Sequence, residues 1–137
     1  MDDHLQRFVD AQQPVYVTVL SELRDGRKRS HWMWFIFPQI SGLGHSVTSQ
    51  TFALSSLAEA AAYLAHPKLG PRLRECAALV ASIEGRSVEE IFDYPDDLKF
   101  HSSMTLFAHA APREPVFAAC LEKYFGGQRD PRTLAGL

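Results

Sequence analysis

The chain has 137 residues, 46% of them hydrophobic and 22% charged, with a formal net charge of -2. That balance belongs to one globular domain over residues 1–137, and the near-neutral charge excludes wholesale wrapping of nucleic acid, so any anion site must be local. Trp32 to Phe37, the run of largest apolar side chains, is far short of the roughly 20 residues that a membrane span needs.

Met1-Asp2-Asp3-His4 lacks the basic-then-apolar pattern of a secretory signal, and a cytoplasmic location is expected. The two cysteines, Cys76 and Cys120, sit in helix-like apolar patterns without Cys-x-x-Cys spacing, which points to buried free thiols.

In chain order, Asp2 or Asp3 caps a first helix to about Gln12, with Leu5, Phe8 and Val9 on one face. Pro14 suits the first turn of a second helix, with Val15, Val19 and Leu23 inward and Gly26 at its end. Ser56-Leu57-Ala58-Glu59 is a capping-box pattern that predicts a helix to about Ala65, stopped by His66-Pro67. Gly70-Pro71 opens a helix carrying Leu73, Ala77, Val80 and Ile83, which Gly85 ends. Ser87 to Glu90 repeats the capping box for a short helix to about Phe92, "DYPDD" turns, and Leu98 to Ala110 is helical. Pro112 and Pro115 bracket a helix with Phe117, Leu121 and Phe125 on its apolar face, and Asp130-Pro131 starts a last short one. The expected fold is all-α, a compact single-domain bundle of about seven or eight short helices, irregular rather than up-down.

Trp32 to Phe37 is the awkward element, because its aromatic content favours a buried strand and the chain offers no convincing partner strand. A short buried helix capped by Ser30 and ended before Pro38 fits better; the alternative is a two-stranded ribbon with "VTSQTFAL", residues 47–54.

Three constellations could carry chemistry. In "RKRSHW", a helix starting at His31 would turn its free amides toward the solvent that holds Arg27, Lys28 and Arg29, which suits phosphate or carboxylate, while Trp32 or Trp34 could stack on a ring. The plainer account is a solvated loop beside two core tryptophans. In "GLGHS", Gly42 and Gly44 permit close backbone approach and His45 and Ser46 offer polar atoms, although no phosphate-loop or dinucleotide fingerprint is present. In "DDLKFHSSMTLF", Asp97, His101 and Thr105 share a helix face, with Lys99, Ser102 and Ser103 on adjoining ones; this is either a ligand strip or a hydrogen-bonded seam between helices.

The six histidines are scattered and form no metal-ligand spacing, so neither metal nor cofactor is expected. No Gly-x-Ser-x-Gly elbow occurs. Were the protein an enzyme, metal-independent hydrolysis or transfer with His101 or Asp97 as acid/base would be the form.

"RFVDAQ" (7–12), "ELRDGRKRSHWMWFIFPQISGLGHS" (22–46), "YLAHPKLGPRL" (63–73), "DDLKFHSSMTLF" (96–107) and "KYFGGQRDPRTLAGL" (123–137) together resemble the blocks of the uncharacterised bacterial family called domain of unknown function 1810. The resemblance spans nearly the whole chain and implies a mainly α-helical single domain without an assigned activity. The calpastatin-like label sometimes attached to such proteins conflicts with the composition, since calpain-inhibitor segments are disordered until bound. The family pattern leads one to expect glycine where Asp93 stands. Its blocks include the polar residues Arg27 to Ser30 and Ser102-Ser103, which a core alone would not require.

The reading that follows is a cytoplasmic protein that binds a small anionic ligand, nucleotide or ADP-ribose related, between the basic-aromatic segment and the serine-rich helix. Its contact residues would be Lys28, Arg29, Ser30, His31, Trp32, Trp34, Gly42, Gly44, His45, Ser46, Lys99, His101, Ser102 and Ser103. The competing readings are a protein-interaction module with an aromatic docking surface and a nucleic-acid-associated factor using Arg24, Arg27, Lys28 and Arg29.

Overall fold

Capping side chains and first-turn prolines set the starts of half of the described α-helices. The computed structural model describes residues 3–137. A 3-10 turn at Asp3–Leu5 leads into α1 (Gln6–Gln12), followed by α2 (Tyr16–Arg24), α3 (Met33–Ile36), α4 (Val47–Thr51), α5 (Leu57–Ala65), α6 (Leu69–Ser82), α7 (Val88–Phe92), α8 (Asp96–Ala110), α9 (Pro115–Phe125) and α10 (Pro131–Ala135). The all-α expectation holds, with ten α-helices among the described residues rather than seven or eight.

Ser87 forms the full capping box: its hydroxyl accepts from Glu90 N, and the Glu90 carboxylate accepts from Ser87 N. At α5 the Ser56 hydroxyl accepts from Glu59 N, but the Glu59 carboxylate reaches Ser55 N, one residue before the expected partner. His66 does more than stop α5. Its Nδ1 accepts from the amides of Lys68 and Leu69, so α6 begins at Leu69. The cap expected at Asp2, and the side chain of Asp3, lie outside the described residues; α1 starts after Leu5 without a side-chain cap.

Packing centres on α8, against which α5, α7, α9 and α10 lie, while α6 bridges α5 and α9. Phe100 and Ser103 to Phe107 of α8 are all fully buried, so this helix is enclosed on nearly every side. The aromatic run enters the core beside it. Trp32 and Phe37 are fully buried, and the Phe37 ring meets Phe100 edge-on at 5.0 Å while Phe92 stacks on Phe100 at 4.8 Å.

Two expectations need correction. The run does form a helix, but it starts at Met33 with Trp32 at the cap position, and Ser30 caps nothing. Residues 47–54 are not a ribbon strand: they hold α4, and only Leu54 at their end makes a single parallel bridge to Ile40, with Leu54 N donating to Gln39 O and Ser41 N to Leu54 O.

Asp93, between α7 and α8, has φ 63° and ψ 159°, a backbone region that only glycine enters without strain. This is the position where the family pattern leads one to expect glycine. Strain of roughly 1–3 kcal/mol exceeds the ~0.2–1 kcal/mol of the exposed Arg27–Asp93 ion pair at 3.1 Å, even after the entropy cost of a glycine in the unfolded chain. Asp93→Gly should therefore raise the free energy of unfolding by about 1 kcal/mol, measured by urea titration; a loss of stability would contradict this account of the turn.

Candidate functional site

The loop after α2 is held by an anion that the chain itself supplies, through backbone and neutral donors. Glu22, on the last turns of α2 and only 5% exposed, accepts from Arg29 N (2.8 Å), Ser30 N (3.0 Å), Ser30 Oγ (2.5 Å) and Trp32 Nε1 (2.9 Å). The amides expected to cradle a ligand at Ser30 are thus occupied by a carboxylate from the preceding helix. Burial pushes the Glu22 carboxyl up, but the Ser30 hydroxyl, the Arg29 amide, the Trp32 indole and the Ser30 amide outweigh it and hold the group at about 2, against an ordinary 4.5.

The cations of the basic run Arg27–Arg29 are paired as well. Arg27 donates to Glu90 O and Asp93, Arg29 to Asp25, and Lys28 Nζ lies 2.8 Å from Asp96 Oδ2. Trp32 is core, and His31 is exposed.

A groove of about 360 Å³ at the end of α2 is lined by Arg24, Asp25, Gly26, Glu84 and Arg86, with both signs of charge, and two smaller spaces adjoin the glycine loop. A cavity of about 100 Å³ is lined by Trp34, Ile40, Phe52, Ala53 and the glycine loop at Gly42 and Gly44. Beside it runs a groove of about 200 Å³, lined by Leu43, Tyr94, Pro95, Leu98, Lys99, Ser102 and Arg132; Gln39, Gly44 and Ser49 line both. Gly44 is obligatory at this junction, because a Cβ there would lie 2.6 Å from the Ser49 side chain.

Two cations line the groove from distant parts of the chain. Lys99 Nζ sits 4.4 Å from the centre of the Trp34 ring and 3.4 Å from Asp96 Oδ1. Arg132, from α10, donates through Nη2 to Leu43 O at 3.0 Å and so ties the C-terminal helix to the glycine loop. One bond leaves most of its five N–H donors free for another acceptor. The Trp34 indole N–H is buried and has no hydrogen-bond partner.

Of the residues singled out from sequence, Trp34, Gly42, Gly44, Lys99 and Ser102 line these spaces. Lys28, Arg29, Ser30 and Trp32 belong to the Glu22 and Asp96 pairings instead. His45 is exposed, and Ser46 caps α4 by accepting from Ser49 N at 3.0 Å. His101 lies off the groove: its ring stacks on Phe125 at 3.9 Å and Nε2 bonds Gln128 O at 2.8 Å. Ser103 is fully buried with no partner for its hydroxyl.

Asp97 is 7% exposed with Oδ1 unpartnered; burial, aided by the Glu89 and Asp96 carboxylates, raises its pKa. Neither Asp97 nor His101 lines the groove, so the acid/base roles considered for them gain no support from its geometry. Burial likewise pushes both free thiols, Cys76 and Cys120, up to about 12, where they stay protonated.

Gln39, Ser49, Tyr94 and Arg132 were not legible as site residues. Arg132 sits one residue after the Asp130-Pro131 helix start, a signal of structure and not of chemistry. Asp130 orders that start by accepting from Ser102 Oγ (2.8 Å) and from Thr133 Oγ1 (2.6 Å), and its pKa is lowered, these hydrogen bonds outweighing burial.

Comparison with known proteins agrees with this architecture. The profile of the family described as "Protein of unknown function (DUF1810)" matches residues 2–137. The chain belongs to the DUF1810 family. A solved structure, that of the conserved hypothetical protein Rv1873 from Mycobacterium tuberculosis, is similar at 59% identity and a TM-score of 0.96, over 97% of this chain and 95% of that one. No curated protein matches the chain. Among the described residues no helix is long and apolar enough to cross a membrane, and no group of three His, Cys, Asp or Glu is placed to hold a metal ion.

For this DUF1810 chain the Glu22 network gives a pH dependence of known sign. A folded-state pKa below the unfolded one contributes stability that is present above pH 4.5 and lost as pH falls toward 2. The contribution is about 3 kcal/mol for a group this buried. Chemical unfolding between pH 5 and pH 2 should show that loss in the wild type and a flatter profile in Glu22→Gln. Glu22→Ala, which strands four donors, should cost about 3 kcal/mol or more at pH 7.

Proposed function

We propose that this protein binds a compact anionic ligand, of nucleotide or ADP-ribose-related chemistry, in the groove between the glycine loop and the first half of α8. The observation that carries this reading is the convergence of Lys99 and Arg132, from α8 and α10, on one groove that also presents Ser102 and adjoins an aromatic-walled cavity. Cations and a hydroxyl suit a phosphate, and the Trp34 and Phe52 wall suits a flat ring. Both spaces fall below the roughly 300 Å³ at which drug-sized pockets begin, which favours a small ligand or one end of a larger one.

Of the residues expected from sequence this site keeps Trp34, Gly42, Gly44, Lys99 and Ser102 and adds Arg132; Lys28 and Arg29 are engaged in internal pairs, and Ser30, His31, Trp32, His45, Ser46, His101 and Ser103 do not line it. Tyr94 (77% exposed) and Leu98 (49%) stand at the rim of the same groove. As a pair of apolar side chains beside two cations, they read as the lip of a ligand site and not as a protein-docking face. Binding, not turnover, is the proposed function.

Thermal unfolding in the presence of AMP, ADP, ADP-ribose and inorganic phosphate tests the reading. At a hundredfold excess over Kd a native-state ligand adds about 2.7 kcal/mol, or roughly 5–10 °C in Tm for a domain of this size. Lys99→Gln and Arg132→Ala should each weaken the binding of a hit at least about tenfold, while His101→Ala leaves Kd unchanged. Absence of any stabilising anion, or variants at Lys99 and Arg132 that bind like the wild type, would remove the proposal.

A further inference from the structure

Three charged side chains form a chain that runs from the core to the groove. Lys28 Nζ lies 2.8 Å from Asp96 Oδ2 and Lys99 Nζ 3.4 Å from Asp96 Oδ1, with side-chain exposures of 9%, 17% and 21% for Lys28, Asp96 and Lys99. Each lysine also faces a tryptophan: Lys28 at 5.2 Å from the ring of the fully buried Trp32, Lys99 at 4.4 Å from that of Trp34. A lone Asp96–Lys99 pair would be neutral, and Lys99 would offer an incoming anion little field.

We propose that Lys28 is a positioning residue for the anion site: its buried charge occupies Asp96, so the three-member chain keeps one net positive charge and delivers it at Lys99. The inference rests on the groove being an anion site, and it assigns to a residue that never touches the ligand the task of setting the groove's affinity for negative charge. A carboxylate between two ammonium groups holds both in place; removing one of them lets it neutralise the other.

The consequence is an order of anion attraction at the groove that contact with the ligand alone does not predict. Asp96→Asn leaves two lysines and strengthens attraction. Lys28→Met leaves a neutral pair and weakens it. The double variant Lys28→Met/Asp96→Asn leaves Lys99 alone and returns the groove to the wild-type charge, although it carries more change than either single variant.

Collisional quenching of tryptophan fluorescence reads this charge without any biological ligand. Trp32 is fully buried, so quenching reports Trp34, which lines the cavity. The probe is iodide, with neutral acrylamide measured in parallel to correct for access, both at one fixed ionic strength. The ratio of iodide to acrylamide quenching constants should rise about twofold in Asp96→Asn, fall about twofold in Lys28→Met and return to the wild-type value in the double variant.

A wild-type ratio in Lys28→Met, or a double variant that stays as low as Lys28→Met, overturns the proposal. Should Lys28→Met fail to fold by circular dichroism, Lys28→Gln takes its place, and a wild-type ratio there overturns the proposal. The two readings fail separately: if the ratios follow the expected order while no nucleotide or phosphate binds, the ligand reading falls and the charge chain stands. If a ligand binds through Lys99 and Arg132 while the ratios stay flat, the charge chain falls alone.

Discussion

The Glu22 carboxylate is the contact on which the rest of this structure depends. An acid taken almost wholly out of water is costly unless its oxygens are satisfied, and here two backbone amides, a hydroxyl and an indole N–H satisfy them within a span of four residues, Arg29 to Trp32. Because one of those donors is the Trp32 side chain, the same contact that anchors the loop after α2 also aims the first ring of the aromatic run into the core. Phe37 then reaches Phe92 and Phe100, and the run becomes the link between α2 and the central helix α8. The positive side chains beside that apolar run do not touch Glu22: Arg27 and Lys28 pair with Asp93 and Asp96 on the turn before α8, and Arg29 pairs with Asp25.

That arrangement has a consequence for binding. Arg27, Lys28 and Arg29 are paired within the fold, and the cations that line the groove beside the glycine loop come from elsewhere: Lys99 from the first turns of α8, and Arg132 from a helix whose contact with the glycine loop bridges 89 positions of sequence. α10 is short, and its place is set by Asp130, which accepts from Ser102 of α8 and donates through its amide to Thr105. The polar strip on α8 therefore does two jobs on two faces. Thr105 and His101 fasten the C-terminal segment, Lys99 lines the groove, and Ser102 does both.

How much of this could be read from sequence follows from the range of the interactions. Ser56, Ser87, Asp130, Pro115 and Pro131 act within one helical turn, and the helices they start lie where the local pattern places them, whereas Pro14 stands two residues before α2 and not in its first turn. The seam of Asp97, His101 and Thr105 was visible as a stripe, and a hydrogen-bonded seam between helices was one of its two readings; which side faced a cavity was not, because periodicity fixes a face but not its neighbour. The same limit explains Ser30. A serine before an apolar run has the form of an N-cap, yet its hydroxyl and amide go to Glu22, eight residues back on another helix. α4 was missed because Val47, Thr48 and Thr51 are β-branched, while Ser46 supplies a cap strong enough to hold a single turn or so of helix against that preference.

The turn from Asp93 to Asp96 is where the basic run and the groove meet. Arg27 grips it through Glu90 O and Asp93, and Lys28 grips it through Ile91 O and Asp96. Between those grips stand Tyr94 and Pro95, which line the groove, and the left-handed conformation at Asp93 that carries the chain from α7 into α8. Strain of this kind persists only where neighbouring contacts leave the backbone no cheaper alternative, and here both neighbours come from the basic run. The run that looked like a ligand site thus shapes the site from behind: it holds the turn that forms one wall of the groove, and through Asp96 it holds the lysine that lines it.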